Sequence, residues 1–340
     1  MPLDPHAKRL LDIIAAAPTA AGRPTPHAMR QTIIELAHVA DAHDVPIWRR
    51  EDRDIPGPGG PLPIRIYTPL PQTAGQSPAL IYLHGGTGVF GSIETHDGLC
   101  RLLANESACR VISVEYRLAP EHKFPAAVED SREAARWTFE HCRDLDIDPR
   151  RIAIGGDSAG ATLATVVCQL ERDSGLEFAL QVLLCPVTDI TADTESRRHF
   201  SQGYFFDIAT LSWALEHYLP DGADALDPRL SPLRSKDLRR LPAAHIHTAE
   251  FDPFRDEGEA YADALGRAAV PVRCWRHDGM IHHFYCLAGF IPRSRQVIKA
   301  AGEAIREALT RPQYSHTSQC GDIATAPPRR PSTGVGQVQP

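Results

Sequence analysis

From residue 78 onward the chain alternates two hydrophobic rhythms. Short apolar runs, ALIYLH (79–84), CRVISVEY (109–116), RIAIGG (151–156), LQVLLCP (180–186), AAHIHTAE (243–250) and PVRCW (271–275), are one of them. Between them lie stretches with apolar residues at helical spacing, near 95–107, 125–142, 159–172, 255–268 and 294–309. Runs that are apolar almost throughout predict strands buried on both faces. Their alternation with helices predicts a mostly parallel sheet covered on both sides. Such sheets collect ligands beyond the carboxyl ends of their strands. Upstream, residues 1–45 carry two helical patterns split by PTAAGRPTP. PIWRREDRDIPG and LPIRIYTPL read as two strands joined by a Gly/Pro turn. Residues 186–242 interrupt the alternation. There FSQGYFFDIATLSWALEHYLP (200–220) is aromatic-rich and helical in pattern. Set between two sheet strands, it predicts a lid together with the N-terminal helices. From Arg311 the periodicity is lost, and 311–340 reads as a disordered tail.

Composition narrows the class. The 340 residues are 43% hydrophobic and 23% charged, ordinary for a globular chain that buries its core without staples. Lys and Arg number 36 against 43 Asp and Glu, a net charge of −7 with no basic block, which argues against a nucleic-acid partner. No apolar stretch reaches the roughly 18 residues of a membrane span. Asp4 and Asp12 interrupt the weak signal-peptide look of the N-terminus. The expected location is the cytoplasm. The eight cysteines, at 100, 109, 142, 168, 185, 274, 286 and 320, form no CxxC pair. They read as buried reduced thiols, not as a zinc site.

Two motifs carry chemistry. GDSAG (156–160) is a G-x-S-x-G that follows a strand run and opens a helical pattern, the setting of a nucleophile elbow. Small neighbours allow a tight turn that lifts the Ser158 hydroxyl above the end of the sheet. The helix N-terminus beyond it favours developing negative charge. A serine hydroxyl needs a base, and the base needs an orienting acid, here in the chain order Ser, Asp or Glu, His. Glu250 and Asp252 come at the end of AAHIHTAE, while Asp256 and Glu257 fall on the next helix and suit first-turn charges. Asp252 is therefore the first choice. WRHDGMIHHFYCLAGF offers His277, His282 and His283. His277 lies close to the strand end. His282 follows a Gly-containing loop from which a base can point back over the sheet. In LIYLHGGTGVFGS (80–92), Gly85 and Gly86 follow His84 after the third strand. Their backbone N–H groups, with that of Ala159 from the other side, predict an oxyanion hole worth roughly 3–4 kcal/mol per donor.

YLHGGTGVFGSIETHD, VEYRLAPEHKFPAAVED, IGGDSAGATLA, DPFRDEG and GMIHHF follow one another over about residues 80–290. In that order they resemble the hormone-sensitive-lipase family of α/β-hydrolases, in its bacterial esterase branch. The resemblance implies an α/β-hydrolase fold with a mostly parallel central sheet, helices on both faces and a helical cap. Residues 1–45 would be cap helices and 46–310 the catalytic domain, with a cap insertion at about 190–225. Ser158 would be the nucleophile, Asp252 the acid and His282 the base, with His84 and Asp157 completing their motifs. The implied activity is hydrolysis of short- to medium-chain carboxylic esters through an acyl-enzyme, on small-molecule substrates and without a metal or cofactor. Family members pair through the edge strand of the sheet, so the resemblance also admits a homodimer.

One residue departs from the pattern. The family's loop runs His-Gly-Gly-Gly, and this chain has Thr87 at the last place. Its backbone N–H remains and can serve as a donor. A β-branched residue is strained at positive φ, so a negative φ leaves the loop intact and a positive one distorts it. Two other readings use the same residues: cleavage of an amide, carbamate or lactone, and a ligand-binding pseudoenzyme. The intact Ser, His and Asp set argues against the second.

Overall fold

The computed structural model describes residues 2–17, 22–70 and 75–310. The tail expected at 311–340 lies outside them. Among the described residues one sheet holds the strands β1 (Arg49–Gly57), β2 (Gly60–Thr68), β3 (Ser77–Leu83), β4 (Arg110–Val114), β5 (Ile147–Asp157), β6 (Leu180–Leu184), β7 (Ala243–Phe251) and β8 (Val272–Ile281). Their order is β1-β2-β4-β3-β5-β6-β7-β8. β1, β2 and β4 pair antiparallel, and every later pairing is parallel.

The helices are α1 (Pro5–Ala16), α2 (Pro26–Ala40), α3 (Asp97–Ser107), α4 (Ala126–Glu140), α5 (Ala159–Glu171), α6 (Glu195–His199), α7 (Ile208–Tyr218), α8 (Arg255–Arg267) and α9 (Pro292–Thr310). One sheet face buries its side chains under α4, α5 and α8, through residues such as Ala135, Val167 and Leu265. The other buries them under α1, α3 and α9, through Leu10, Leu103 and Ile305. All seven residues of β3 are buried, as a strand covered on both faces requires. A third apolar group, including Phe90, Val187, Phe206, Trp213 and Phe254, sits apart from both, with Met29 and Ile33 of α2 packed against it. Residues of α2 and α7 thus meet the loops that leave the strands' carboxyl ends. Among the described residues no helix is long and apolar enough to cross a membrane.

Strand register places the chemistry. Leu83 lies opposite both Val114 and Gly156. His84–Gly85 and Asp157–Ser158 therefore leave the sheet side by side.

Three expectations change. Only Ile208–Tyr218 of the 200–220 stretch is helical. Gly203 at φ 84° and Phe205 at φ 78° break the pattern ahead of it. There Phe200 and Tyr204 pack around Phe251 instead. β8 runs on to Ile281, so His277 lies within the strand rather than at its end. Six of the cysteines are buried and free, but Cys274 is exposed on β8, and Cys320 lies outside the described residues.

Candidate active site

β5 ends at Asp157, and α5 begins at Ala159. Ser158 between them takes φ 52° and ψ −120°, a strained turn for a residue with a side chain. The flanking glycines are dictated by backbone approach. A Cβ on Gly156 would stand 2.2 Å from the Leu83 carbonyl oxygen, and one on Gly160 would stand 1.9 Å from the same atom. No side chain can retreat to make room there.

β7 delivers Asp252 and the bend after β8 delivers His282. His282 Nε2 lies 3.0 Å from Ser158 Oγ, and His282 Nδ1 lies 2.8 Å from Asp252 Oδ2. The other carboxylate oxygen of Asp252 accepts the Phe254 N–H at 2.8 Å. Asp252 is fully buried, His282 and Ser158 nearly so. The rings of Phe206 and Phe254 stand edge-on to the imidazole at 5.3 and 5.1 Å, fixing its plane. The three side chains thus form one hydrogen-bonded row.

The loop after β3 lies beside this row. Gly85 departs from its predicted part. Its N–H already donates to Asp157 Oδ1 at 2.9 Å, so it is committed to holding the loop. Among the described residues the N–H groups of Gly86, Thr87 and Ala159 have no acceptor. Gly86 sits at φ 120°, and a Cβ there would be 2.0 Å from the Phe90 carbonyl oxygen. Thr87 takes φ 56°, the strained alternative. Its hydroxyl donates to the Gly86 carbonyl at 2.7 Å, which offsets part of the strain. His84 is buried, bonds the Gly85 carbonyl through Nδ1 and stacks on Tyr116 at 4.2 Å. Burial, with His96 nearby, pushes its pKa down to about 3.

A family model described as the alpha/beta hydrolase fold matches residues 80–286 of this chain. The chain belongs to the α/β-hydrolases. Within that family, "Carboxylic ester hydrolase LipN" of Mycobacterium tuberculosis is 46% identical over 239 residues, 68% of this chain and 63% of that protein. The chain thus spans under two thirds of that relative's length. An "Arylesterase" of Saccharolobus solfataricus is 37% identical over 309 residues, 90% of this chain and 99% of its own. The solved structure of a hyperthermophilic esterase from Pyrobaculum calidifontis superposes with a TM-score of 0.85 at 39% identity, covering 90% of this chain and 99% of that one.

The remaining candidates serve this hydrolase otherwise. Glu250 accepts the Gly279 N–H at 2.7 Å. Asp256 caps the start of α6 through the Ser196 N–H. Glu257 is buried against Arg197 of α6 and accepts from Thr188 N–H. His277 stacks on His247 instead of approaching Ser158. His283 Nδ1 stands 3.8 Å from Asp157 Oδ2.

Sequence reasoning missed what surrounds Asp157. Tyr82 hydroxyl donates to its Oδ1 at 2.7 Å, and His96 Nε2 lies 3.2 Å from the same oxygen. Burial opposes its charge, yet His96 and His283 outweigh that and hold its pKa well below the carboxylate range. The THD of IETHD was the available signal, but nothing local ties it to residue 157.

An apolar cleft opens at Thr87 and Ala159 and runs between Val187, Phe206, Leu215 and Tyr218. Its free volume is about 50 Å³.

Proposed function

We propose that this α/β-hydrolase is a serine carboxylesterase acting on small-molecule esters of short to medium acyl chains. The observation that carries the reading is the row Ser158–His282–Asp252, linked at 3.0 and 2.8 Å, beside an apolar cleft whose wall includes Ala159, Phe206 and Phe254. The relatives named as ester hydrolases support the same reaction class.

Ser158 Oγ attacks the ester carbonyl carbon while His282 Nε2 takes its proton. Asp252 accepts from Nδ1–H and stabilises the imidazolium as it forms. The carbonyl oxygen becomes an oxyanion, received by the N–H groups of Gly86, Thr87 and Ala159. The tetrahedral species then collapses. The alcohol leaves with the proton from His282, and the acyl group stays on Ser158. Water, deprotonated by His282, repeats the path and releases the acid. The acyl chain occupies the cleft. Helix α2 with the 190–225 segment acts as its cap, while α1, expected to join it, packs its Ala7 and Leu10 against the sheet.

A panel of p-nitrophenyl esters of increasing acyl length, with a matching p-nitroanilide, tests this. Short esters should turn over fastest, and Ser158→Ala should lose roughly 10⁴-fold or more of kcat with its fold intact. Full turnover by Ser158→Ala would overturn the mechanism. Preference for the anilide would overturn the ester class.

A further inference from the structure

We propose that His96, Asp157, His283 and Cys286 form a binding site for a thiophilic divalent cation of the zinc class, behind the Gly85–Thr87 loop. Their four ligand atoms all lie within 4.8 Å of one another. They come from four places in the fold: the turn before α3, the end of β5, the bend after β8 and the turn that follows it. Three of the four are buried, and His283 is half-buried. A two-His, one-carboxylate, one-thiolate set is a zinc-type donor set.

The imidazoles and the carboxylate stand about as far apart as two ligands of one ion. Asp157 Oδ1 already accepts from Tyr82 and Gly85. His96 Nε2 straddles the carboxylate at 3.2 and 3.4 Å, and His283 Nδ1 stands 3.8 Å from Oδ2. A charge-assisted hydrogen bond would draw in to about 2.7–2.9 Å. Two ligands on a tetrahedral zinc, with bonds of about 2.0–2.3 Å, stand about 3.3–3.6 Å apart.

Orientation agrees. Thr95 Oγ1 gives its proton to the Ser92 carbonyl. His96 Nδ1, 2.9 Å from that hydroxyl oxygen, is therefore the donor there, and Nε2 faces the cluster. A hydrogen bond on the remote nitrogen is how metal-binding imidazoles are held. His283 keeps a left-handed backbone at φ 65°, and Phe205 stacks on its ring at 5.5 Å. The exposed edge of His283, 16% of its side chain, marks the way in. On binding, the Cys286 thiol and any imidazole nitrogen holding a proton toward the cluster release it to solvent.

A second close donor group, Cys185, Asp252 and His282, includes the serine's base, so loss of activity cannot by itself assign the site. The test is direct titration of chelator-treated protein with Co²⁺ and then Zn²⁺. One Co²⁺ per chain should bind, with a thiolate-to-metal absorption band. Cys286→Ser should abolish the band. His283→Gly, which suits the left-handed backbone, should weaken binding about tenfold or more. No binding by the parent chain, or binding unchanged in both variants, would overturn the site. Filling it should slow ester turnover by drawing Asp157 off the loop, an effect that rests on the oxyanion reading. Variant-sensitive binding without that slowing would uphold the site and count against the loop assignment alone.

Discussion

Five non-glycine residues at or beside Ser158 hold a positive φ: Thr87, Cys185, Phe205, His283 and Ser158 itself. Each such backbone costs of order 1–3 kcal/mol and persists only where neighbours over-determine it. At Thr87 the over-determination is visible. The Val89 and Phe90 N–H groups both close onto the Gly86 carbonyl, and the Thr87 hydroxyl joins them. Thr87→Ser should thus turn over esters nearly as well as the parent. Thr87→Val, which keeps the branching and loses the hydroxyl, should lose between about 10- and 100-fold of kcat, less than the roughly 100- to 1,000-fold of a fully lost oxyanion donor, because the N–H is displaced and not removed. Equal kinetics for the two would remove the hydroxyl from the argument. Thr87→Gly frees the backbone and enlarges the cleft mouth, and its profile in the acyl-length panel should shift to longer chains. Ser158 was legible at this scale because its turn imposes small residues on both sides. The φ of Thr87 was not, because Phe90, three residues on, closes the loop that sets it.

Between elements, β7 and β8 share a block of imidazoles. His247 stacks on Trp275 at 4.6 Å and on His277 at 5.2 Å, and His247 Nδ1 meets His277 Nε2 at 3.0 Å. Burial pushes the pKa of His245 and of His277 down to about 4, helped by Arg273 and Arg293 respectively. Burial and His277 push His247 well below its ordinary value. These groups are neutral in the folded chain and take up protons near pH 6.5 once unfolded. Their stabilisation is present above about pH 6.5 and is lost as pH falls from there towards 4. Denaturant midpoints measured at pH 7 and pH 5 should fall clearly, and His277→Gln should flatten the fall by up to about 1.4 kcal/mol per pH unit. A midpoint that does not move would contradict the burial. The apolar rhythm predicted both strands, yet AAHIHTAE hid this block, because the register that sets Trp275 and His277 beside His247 belongs to the pairing of two strands and not to either one. The aromatic half of 200–220 misled for a related reason. Its rings pack on Phe251, distant in sequence, and that contact outweighs local helix pattern.

Across the molecule, one side chain links the N-terminal helices to the loops around the serine. Arg30 of α2 donates to the Val89 carbonyl at 2.9 Å and the Ala119 carbonyl at 2.8 Å, and pairs with Glu121 at 2.6 Å. Glu121 is mostly exposed, so the ion pair itself adds under about 1 kcal/mol. The two carbonyl bonds, made by a charged donor, add about 1.5–3 kcal/mol each at most. Arg30→Ala should therefore raise KM for esters and speed proteolysis of residues 1–45, while Glu121→Gln should do neither strongly. Unchanged KM and proteolysis in Arg30→Ala would separate α2 from the site. The alternation of strands and helices made the sheet readable in advance, and motif order singled out Ser158, Asp252 and His282, which the fold brings into one hydrogen-bonded row. The surroundings of Asp157 were not, since Tyr82, Gly85, His96 and His283 converge only through strand register and loop closure.

Gly85 and Gly86 of the loop after β3 face different futures under mutation. A Cβ on Gly86 would strike the Phe90 carbonyl oxygen, a backbone atom that no change of side chain removes. A Cβ on Gly85 would strike Asp157 Oδ2 at 2.3 Å, a side-chain atom. Replacing Gly85 therefore needs position 157 to shrink first and its carbonyl, 3.0 Å away, to give slightly, whereas Gly86 stays fixed whatever happens around it. The order of substitutions matters at one position and not at the other, and a pairwise library over residues 85 and 157 would display it as strong epistasis.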